Sequence, residues 1–334
     1  MKRLLLIILC ALFYAAMVYG CSGNGAQVQQ QAPEQQQEQG ERISIVSTIF
    51  PQYDWVRQII GEENMHRFEL TLLIDTLTDL HSYNPSVRDI LTVKTSDVFI
   101  YVGGDADRWV DDVLNAADAN PDIVAIGLIE TLGDLVILDY DHDHDECDEE
   151  HEDDEPHADE HVWLSLRLAQ INCIAIAEML AGLDPDNAEA YMANLSEYIG
   201  KLSVLDSEYQ AVVDAAGFTA MVFASRFPFR YMAEDYGLDY YAAFSGCSAE
   251  TDASFATIIS LANRLNQLGL GAVLVTECSD QSIAETVIYN SESKNQSILV
   301  LDAMQSVTAA DVQNGASYTA IMESNLAVLR EALG

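Results

Sequence analysis

The chain of 334 residues is long enough for one large or two ordinary domains, and 49% of its residues are hydrophobic, so general disorder is excluded. Its 54 acidic residues face only 15 lysines and arginines, which gives a formal net charge of −39. A field of this sign repels nucleic acid and anionic lipid headgroups and attracts cations. We therefore expect a globular protein that has no nucleic-acid partner.

The N-terminal region predicts export. Two basic residues followed by an apolar run make residues 1–20 a signal peptide, and the run is too short for a comfortable membrane span. The residues before Cys21 resemble a bacterial lipobox, in which Cys21 is lipidated and becomes the mature N-terminus. Ordinary secretion with a free or paired cysteine is the alternative. The Gln-rich residues 21–41 predict a flexible tether, so we expect the folded part to begin near Arg42, outside the cytoplasmic membrane.

Four cysteines follow the tether, in a compartment where disulfides are permitted: Cys147, Cys173, Cys247 and Cys278. Cys247 comes just after one apolar segment and Cys278 directly after another, so both are expected at strand ends, where they can pair. Two separate buried thiols are the alternative.

Alternating strand and helix patterns predict a first α/β lobe over residues 42–183, with a parallel sheet. β-branched and apolar runs predict strands at residues 43–49, 70–74, 98–102, 124–126 and 135–138. Apolar residues at helical spacing over residues 53–60 predict a helix after the first strand.

A long helix over residues 184–215 is predicted to join this lobe to a second one. Asp184 reads as the N-cap and Pro185 as the first helical residue, and apolar positions continue at helical spacing for about thirty residues, or roughly 45 Å. The second lobe, residues 216–334, repeats the alternation. Its predicted strands are residues 219–223, 240–244, 271–276 and 298–301, and residues 254–268 are predicted to be helical.

Residues 139–160 concentrate the metal-binding chemistry. They hold fourteen carboxylates and four of the seven histidines, which are His142, His144, His151 and His157. Such a segment offers no apolar surface and its like charges repel, so we expect a mobile loop. Acidity alone does not explain the histidines, and weak capture of several divalent metal ions is therefore favoured over a merely solvated loop.

Two other histidines are expected at strand-to-helix junctions. His81 follows a strand-like stretch, and His161 stands where the acidic segment re-enters folded structure. Ligands of open α/β sheets bind beyond the carboxyl ends of the strands, so these two side chains are placed to share one ion. Taken alone, each is as well explained as a loop histidine bonded to the backbone.

Four motifs resemble the zinc and manganese solute-binding lipoproteins of bacterial ABC importers. They are residues 47–56 (Ser-Thr-Ile-Phe-Pro-Gln-Tyr-Asp-Trp-Val), residues 79–90 around His81, residues 159–165 (Asp-Glu-His-Val-Trp-Leu-Ser) and residues 184–188 (Asp-Pro-Asp-Asn-Ala). The resemblance runs from about Ile43 to Leu333. It implies an α/β fold of two (β/α)4-like lobes joined by a long rigid helix, with a metal in the cleft between them. A His-rich acidic insert before the second histidine is typical of the zinc-handling members.

The resemblance also implies a ligand set. His81 and His161 match the two histidines of the first lobe. The third ligand is histidine in zinc members and glutamate in many manganese members, but this chain has Ser225 and Arg226 at that point, and arginine stays protonated and cannot ligate. The carboxylate expected after the next strand is matched by Glu277.

Several explanations of Arg226 stay open. In the first, Arg226 pairs with Glu277, or with Glu250 in the segment that matches the family's Ser-Pro-Glu. The ion then keeps both histidines, one carboxylate and a water or loop histidine. Alternatively, Cys247 or Cys278 supplies a thiolate, or the high-affinity site has been lost. The structural alternatives are an ion pair at a helix start for Arg226 and a solvated loop carboxylate for Glu277.

We therefore expect a monomeric, lipid-anchored extracytoplasmic receptor that captures Zn²⁺, or less favourably Mn²⁺, and delivers it to an ABC permease without a catalytic step. Imidazole ligands suit zinc better than manganese. An exported zinc-dependent hydrolase is the second class, and the sequence has neither a His-Glu-x-x-His helix nor a Gly-x-Ser-x-Gly elbow to support it. A surface adhesin or metal buffer without a permease is the third.

Overall fold

The computed structural model describes residues 42–139, 157–246 and 252–334. Several predictions fall outside these ranges and concern the signal peptide, the tether with Cys21, most of the acidic segment, and the segment after residue 246. The residues affected are Cys21, His142, His144, Cys147, His151, Cys247 and Glu250.

The first lobe contains a parallel sheet of four strands. They are β1 (Ile43–Ser47), β2 (Phe68–Leu72), β3 (Val98–Tyr101) and β4 (Val124–Gly127), and their order in the sheet is β2-β1-β3-β4. The helices of this lobe are α1 (Phe50–Asn64), α2 (Val87–Lys94), α3 (Trp109–Leu114) and α4 (Leu128–Leu132). Each strand lies within a few residues of its predicted position, because a buried parallel strand is a short apolar run that the sequence displays directly.

Helix α1 is longer than its predicted core of residues 53–60. It buries an apolar face that includes Trp55, Ile59 and Ile60, and it kinks at Gly61, where φ is 71°. A Cβ atom at Gly61 would lie 2.6 Å from Nδ2 of Asn194, which donates a hydrogen bond to the carbonyl of Ile59. Glycine is therefore required at the kink by both its backbone angle and this close approach.

The predicted strand at residues 135–138 is wrong. A 3₁₀ turn occupies Gly133–Leu135, and only β5 (Leu138–Asp139) follows, paired antiparallel with β6 (His157–Ala158). The prediction of a mobile loop through residue 160 is also too long at its end, because residues 157–160 are part of the fold. Asp159 and Glu160 are buried, with 7% and 1% of their surface exposed.

Two long helices come next, α5 (Leu166–Leu183) and α6 (Ala188–Ala215), separated by a 3₁₀ turn at Pro185–Asn187. The sequence predicted Asp184 as the cap of the long helix, but its side chain makes no capping hydrogen bond. Its carboxylate instead accepts hydrogen bonds from Arg67 and Tyr191, so it fastens the start of α6 to the first lobe.

The second lobe contains another four-stranded parallel sheet. Its strands are β7 (Ala220–Phe227), β8 (Asp239–Ser245), β9 (Ala272–Thr276) and β10 (Ser297–Leu301), in the order β10-β9-β7-β8. Its helices are α7 (Arg230–Tyr236), α8 (Phe255–Leu268), α9 (Ser282–Asn290), α10 (Ala309–Gln313) and α11 (Tyr318–Leu333). Strand β7 runs four residues beyond its predicted end, with a register shift between Phe223 and Arg226.

One hydrophobic core is shared by the two lobes. Helix α6 packs against α1 on one side and α11 on the other, and the largest buried side chains of the core come from both lobes and the connecting helices: Trp55, Trp163, Tyr191, Tyr209 and Tyr318. The Tyr318 hydroxyl donates a 2.7 Å hydrogen bond to the carbonyl of Trp163. The predicted α/β architecture of two parallel-sheet lobes and a long helix is thus confirmed.

Helix α5 belongs to this core. Within the described ranges it is the one helix with the length and hydropathy of a membrane span, but Cys173, Ile176 and other residues of its inner face are buried in the core. Cys173 and the exposed Cys278 are free thiols. Cys247, the expected disulfide partner of Cys278, lies outside the described residues.

Candidate metal site

His81 lies on a 3₁₀ turn, Leu80–Ser82, in the connection that follows β2. Asp79 begins this turn, and its Oδ1 accepts a 2.8 Å hydrogen bond from the backbone N–H of His81. Leu80 is 1% exposed and anchors the turn in the core. These contacts direct the His81 imidazole inward, where 13% of it is exposed.

His161 lies at the start of a second 3₁₀ turn, Val162–Leu164, and its side chain is fully buried. Oδ1 of Asp159 accepts the backbone N–H of His161 at 3.0 Å and lies 2.9 Å from its ring atom Nδ1. Asp159 is in turn held by Tyr231 of α7, whose hydroxyl donates a 2.7 Å hydrogen bond to the Asp159 carbonyl. The ring orientation of His161 is therefore fixed from both lobes.

The two imidazoles meet at their Nε2 atoms, which are 3.2 Å apart. Two Zn–N bonds of about 2.0–2.1 Å at a tetrahedral angle place their nitrogens about 3.3 Å apart. The observed separation is thus that of two neighbouring ligands of one tetrahedral ion. The prediction that these side chains converge from distant parts of the sequence agrees with this geometry.

The Nδ1 atom of each imidazole faces a buried carboxylate. Oε2 of Glu160 lies 3.1 Å from Nδ1 of His81, and Oε1 of Glu160 accepts a 2.7 Å hydrogen bond from the backbone of Ala106. Oδ1 of Asp159 likewise lies 2.9 Å from Nδ1 of His161. A carboxylate on one ring nitrogen fixes the tautomer and makes the other nitrogen a better metal ligand. The sequence assigned both carboxylates to a solvated loop and did not identify this role.

The Glu160 carboxylate also requires a glycine beneath it. Gly104 has a φ of 75°, and a Cβ atom there would lie 2.5 Å from Oε1 of Glu160. Only glycine allows both the turn and the approach of the carboxylate.

The titration behaviour of these groups agrees with a site built for a cation. Burial lowers the pKa of His81, but the neighbouring Glu160 and Asp79 carboxylates outweigh it, so the pKa of His81 is raised. Burial raises the pKa of Asp159, but its hydrogen bond to His161 and the charge of Arg230 outweigh it, so the pKa of Asp159 is lowered. The carboxylates surrounding the imidazoles therefore favour positive charge.

The structure does not place Glu277 with the two histidines. Within residues 42–139, 157–246 and 252–334, no three His, Cys, Asp or Glu side chains form a group that could hold a metal ion. Both oxygens of Glu277 instead accept backbone hydrogen bonds, from Ala303 at 2.8 Å and from Gln305 at 3.2 Å. Burial and the nearby Asp302 raise the pKa of Glu277 to about 7. This geometry favours a supporting role, and the ligand role of Glu277 stays a prediction.

Asp302 is a candidate that sequence reasoning missed. It directly follows β10, just as Glu277 follows β9, so both carboxylates stand at the carboxyl ends of parallel strands. The next residue, Ala303, accepts a 2.9 Å hydrogen bond from Nε1 of Trp163, whose ring contacts His161. The sequence signal for Asp302 is its place directly after the apolar run of β10, the same kind of position that Glu277 has after β9.

Arg226 pairs with a residue that the sequence did not suggest. It lies on β7, and its Nη2 is 3.0 Å from Oδ2 of Asp79, in the first lobe. An ion pair of Arg226 therefore exists, but it lies on a strand instead of at a helix start, and its partner is Asp79. The candidate partner Glu250 lies outside the described residues. Arginine cannot act as the third ligand at this position.

A cavity of about 390 Å³ lies between the lobes beside the histidine pair. First-lobe residues Asp79 and Ser82 and second-lobe residues Arg226, Glu277 and Cys278 contribute to its lining. Gly246 also lines it, and a Cβ atom there would lie 3.1 Å from Cε1 of His161. Neither imidazole lines the cavity, but residues adjacent to each of them do.

His157 is the one histidine of the acidic segment within the described ranges. It lies on β6, and its Nδ1 is 2.6 Å from Oδ2 of Asp105 in the first lobe. His157 is therefore not part of a mobile loop, because β-pairing and this contact fix it. Its role as a low-affinity ligand stays a prediction.

Two parallel-sheet lobes share a long helix, and the His81 and His161 imidazoles lie together in this structure, each facing a buried carboxylate. The chain belongs to the ZnuA family, described as zinc-uptake complex component A, periplasmic, whose sequence profile matches residues 45–332.

Two bacterial relatives agree with this family membership. The chain is 30% identical over 334 residues to the zinc-binding lipoprotein AdcA of Streptococcus pneumoniae serotype 4, an alignment that covers 98% of this chain and 60% of AdcA. It is 25% identical over 295 residues to the high-affinity zinc uptake system protein ZnuA of Bacillus subtilis, covering 88% of each chain. The chain thus spans about 60% of the length of its AdcA relatives.

Solved structures show the same fold. The Zn(II)-bound ZnuA-like domain of S. pneumoniae AdcA superposes with a TM-score of 0.68 at 27% identity, covering 88% of this chain and 99% of that domain. The metal-dependent lipoprotein YcdH of B. subtilis superposes with a TM-score of 0.70 at 24% identity, covering 88% of this chain and all of YcdH. The second comparison supports the fold alone.

Proposed function

We propose that this protein captures Zn²⁺ outside the cytoplasmic membrane and delivers it to an ABC permease. The observation that carries the proposal is the 3.2 Å separation of the His81 and His161 Nε2 atoms, each ring oriented by a buried carboxylate. Membership of the zinc-uptake family and the names of the AdcA and ZnuA relatives support it.

The donor atoms favour zinc over manganese. Two neutral imidazoles are nitrogen ligands, which zinc binds well, whereas manganese is better suited to oxygen-rich sites. Two imidazoles and one carboxylate, with the fourth position open to water, are a common zinc arrangement. We propose His81 and His161 as ligands, with Asp302 or Glu277 as the second-lobe carboxylate.

Cysteine ligation is the alternative for the second lobe. Cys278 is a free, exposed thiol that lines the cavity, so it can approach a bound ion. Cys247 and Glu250 stay candidates on sequence grounds alone. A thiolate ligand would give Co²⁺-loaded protein a strong sulfur-to-metal charge-transfer band in the near ultraviolet, which distinguishes it from carboxylate ligation.

We propose export, lipid attachment at Cys21 and a monomeric receptor as the cellular setting. The signal peptide and the lipobox-like residues before Cys21 support attachment, and the family description and the lipoprotein name of AdcA agree with it. Mass spectrometry of the membrane-extracted protein tests it, since a diacylglyceryl adduct on an N-terminal Cys21 is expected and an unmodified residue 21 would contradict it.

The proposed receptor has no catalytic step. The rival is an exported zinc hydrolase, and the zinc-loaded protein is expected to leave ester, peptide and phosphate substrates unchanged. Turnover that depends on both zinc and His161 would favour the rival.

Calorimetric titration of the metal-free mature protein with Zn²⁺ tests capture. One tight site is expected, and His81→Ala and His161→Ala are each expected to weaken it at least about 100-fold. His66→Ala is the control, because His66 is exposed and bonds only locally, to Glu63. Undiminished binding in either cleft variant contradicts the proposal. Delivery is tested by zinc uptake into cells that lack the protein, which is expected to fall at limiting zinc.

A further inference from the structure

One carboxylate, Asp79, joins the turn that carries His81 to the second lobe. Its Oδ1 accepts the backbone N–H of His81 at 2.8 Å, and its Oδ2 lies 3.0 Å from Nη2 of Arg226 on β7. The two oxygens of Asp79 thus contact the backbone of His81, a proposed metal ligand, and the guanidinium of Arg226 in the opposite lobe. The pair is partly buried, with 31% of Arg226 and 18% of Asp79 exposed.

The position of Arg226 is set by its strand. Strand β7 continues to Phe227, and the register with β8 shifts between Phe223 and Arg226. Such an irregularity re-aims side chains at the end of a strand. It brings the guanidinium to the cavity wall that Asp79 and Ser82 also line.

A second hydrogen bond joins the connection around His81 to the second lobe. The backbone N–H of Ala309, at the start of α10, donates a 3.0 Å hydrogen bond to the carbonyl of Asp75. The segment between β2 and α2 is therefore held at Asp75 and at Asp79, and His81 follows the second of these contacts.

We propose that Arg226 is a positioning residue: through Asp79 it holds in place the turn that carries His81. At the position of Arg226 the resemblance implied a metal ligand, which would join the lobes only through a bound ion. The guanidinium instead joins the lobes through an ion pair with Asp79, a contact that needs no ion. The inference rests on the proposed function for its metal-binding consequence, but not for the ordering of the turn.

Simple electrostatics gives the opposite expectation. A guanidinium beside a divalent cation repels it, and its removal leaves Asp79 as an unpaired carboxylate that attracts the ion. Because Arg226 and Asp79 are opposite charges 3.0 Å apart, their fields largely cancel at longer range, so the loss of order at His81 is expected to outweigh the loss of repulsion. The sign of the change in affinity therefore decides between the two effects.

The test compares Arg226→Met, Asp79→Asn and the double variant with wild type. Asparagine can still accept a hydrogen bond from the His81 N–H, so Asp79→Asn removes the charge but retains that hydrogen bond. Arg330→Met is the matched control, since it removes one positive charge from an exposed site on the last turn of α11. Arg226→Lys tests rescue, because lysine restores the charge without the planar fork.

In the metal-free protein, amide hydrogen exchange over residues 76–84 is expected to quicken about tenfold in Arg226→Met and Asp79→Asn, and less in Arg226→Lys. The zinc dissociation constant of each single variant is expected to rise about tenfold, with no further rise in the double variant, since both changes break one contact. Unchanged exchange over residues 76–84, or tighter zinc binding by Arg226→Met, overturns the proposal. Wild-type protein that binds no zinc overturns the proposed function, while the exchange measurement still decides the role of Arg226.

Discussion

The Nε2 atoms of His81 and His161 lie 3.2 Å apart, although 80 positions separate the two residues in the sequence. Each ring is held at Nδ1 by a carboxylate, Glu160 for His81 and Asp159 for His161. Burial, ring orientation and a ligand-like spacing are therefore set by the chain's own contacts. A site arranged in this way binds with little loss of side-chain freedom.

The carboxylates behind the imidazoles are expected to contribute to affinity without touching the ion. Asp159→Asn and Glu160→Gln each keep the side-chain volume but remove the charge that orients a ring. Changes of this kind typically weaken metal binding about 10- to 100-fold. Competition titration with a zinc chelator measures the effect, and Glu130→Gln, at an exposed position of the same lobe, is the control. Affinities equal to wild type in both variants would show that the rings need no such support.

Zinc affinity is expected to fall as the pH is lowered, because a protonated imidazole cannot ligate. Burial lowers the pKa of His81, but Glu160 and Asp79 raise it above its ordinary value of 6.5, so the loss begins at a higher pH than for an exposed histidine. Below the pKa of His81, protonation of this ring alone lowers the affinity about tenfold per pH unit. Titrations from pH 8 to pH 5 measure this, and an affinity independent of pH would exclude histidine ligation.

Asp107 gives a pH dependence of stability that is separate from metal binding. Its side chain is 4% exposed, and burial raises its pKa to about 6 from the ordinary value of 3.8. The native state therefore binds the proton more tightly than the unfolded chain, so stability decreases as the pH rises from about 4 to about 6 and is constant above it. The cost above pH 6 is up to about 3 kcal/mol.

Asp107→Asn removes this titration. Relative to wild type, the variant is expected to gain stability between pH 4 and pH 7, as measured by urea unfolding. Asp118→Asn should show the opposite trend, because the Lys94 ion pair lowers the pKa of Asp118 and its contribution is lost on acidification. A difference between Asp107→Asn and wild type that does not change with pH would contradict the assignment.

The hydrogen bond between Tyr318 and Trp163 fastens α11 to the segment that follows His161. Tyr318→Phe deletes a buried 2.7 Å bond and leaves the Trp163 carbonyl without that partner, which is expected to cost about 1–3 kcal/mol in the free energy of unfolding. Tyr289→Phe is the control, since Tyr289 is 71% exposed and should change stability by less than about 0.5 kcal/mol. Equal effects of the two substitutions would show that the buried bond contributes no net stability.

The acidic segment is expected to collect ions weakly while the cleft binds one tightly. Deletion of residues 141–155 leaves His157 and β6 in place and should reduce the number of zinc ions bound without changing the tightest dissociation constant. Calorimetric stoichiometry measures both. Loss of the tight site on deletion would mean that the segment supplies an essential ligand.

The two sheets could be predicted because their strands are short, mostly apolar runs, which local sequence displays. The histidine pair could be predicted because both residues lie in connections between a strand and a helix. The surroundings of the pair could not. Glu160 is buried where its Oε1 accepts the Ala106 N–H and its Oε2 faces His81, and both residues lie far from it in sequence. Without knowledge of these partners, acidic residues beside an acidic run look solvated.

The same limit applies to Asp184 and Arg226. The pair Asp184-Pro185 has the local form of a helix cap, but Arg67 and Tyr191 take up the carboxylate instead. The Asp79 partner of Arg226 belongs to the other lobe, and no local pattern connects the two residues. Tertiary contacts therefore decided each interaction that sequence spacing left open.

A crystal structure of the zinc-loaded mature protein, with anomalous scattering measured at the zinc edge, tests the central claim most directly. We expect one fully occupied zinc peak about 2.0–2.1 Å from the Nε2 atoms of both His81 and His161. A zinc peak bonded to neither imidazole, or two imidazoles that point away from each other around an empty cleft at saturating zinc, would contradict the account.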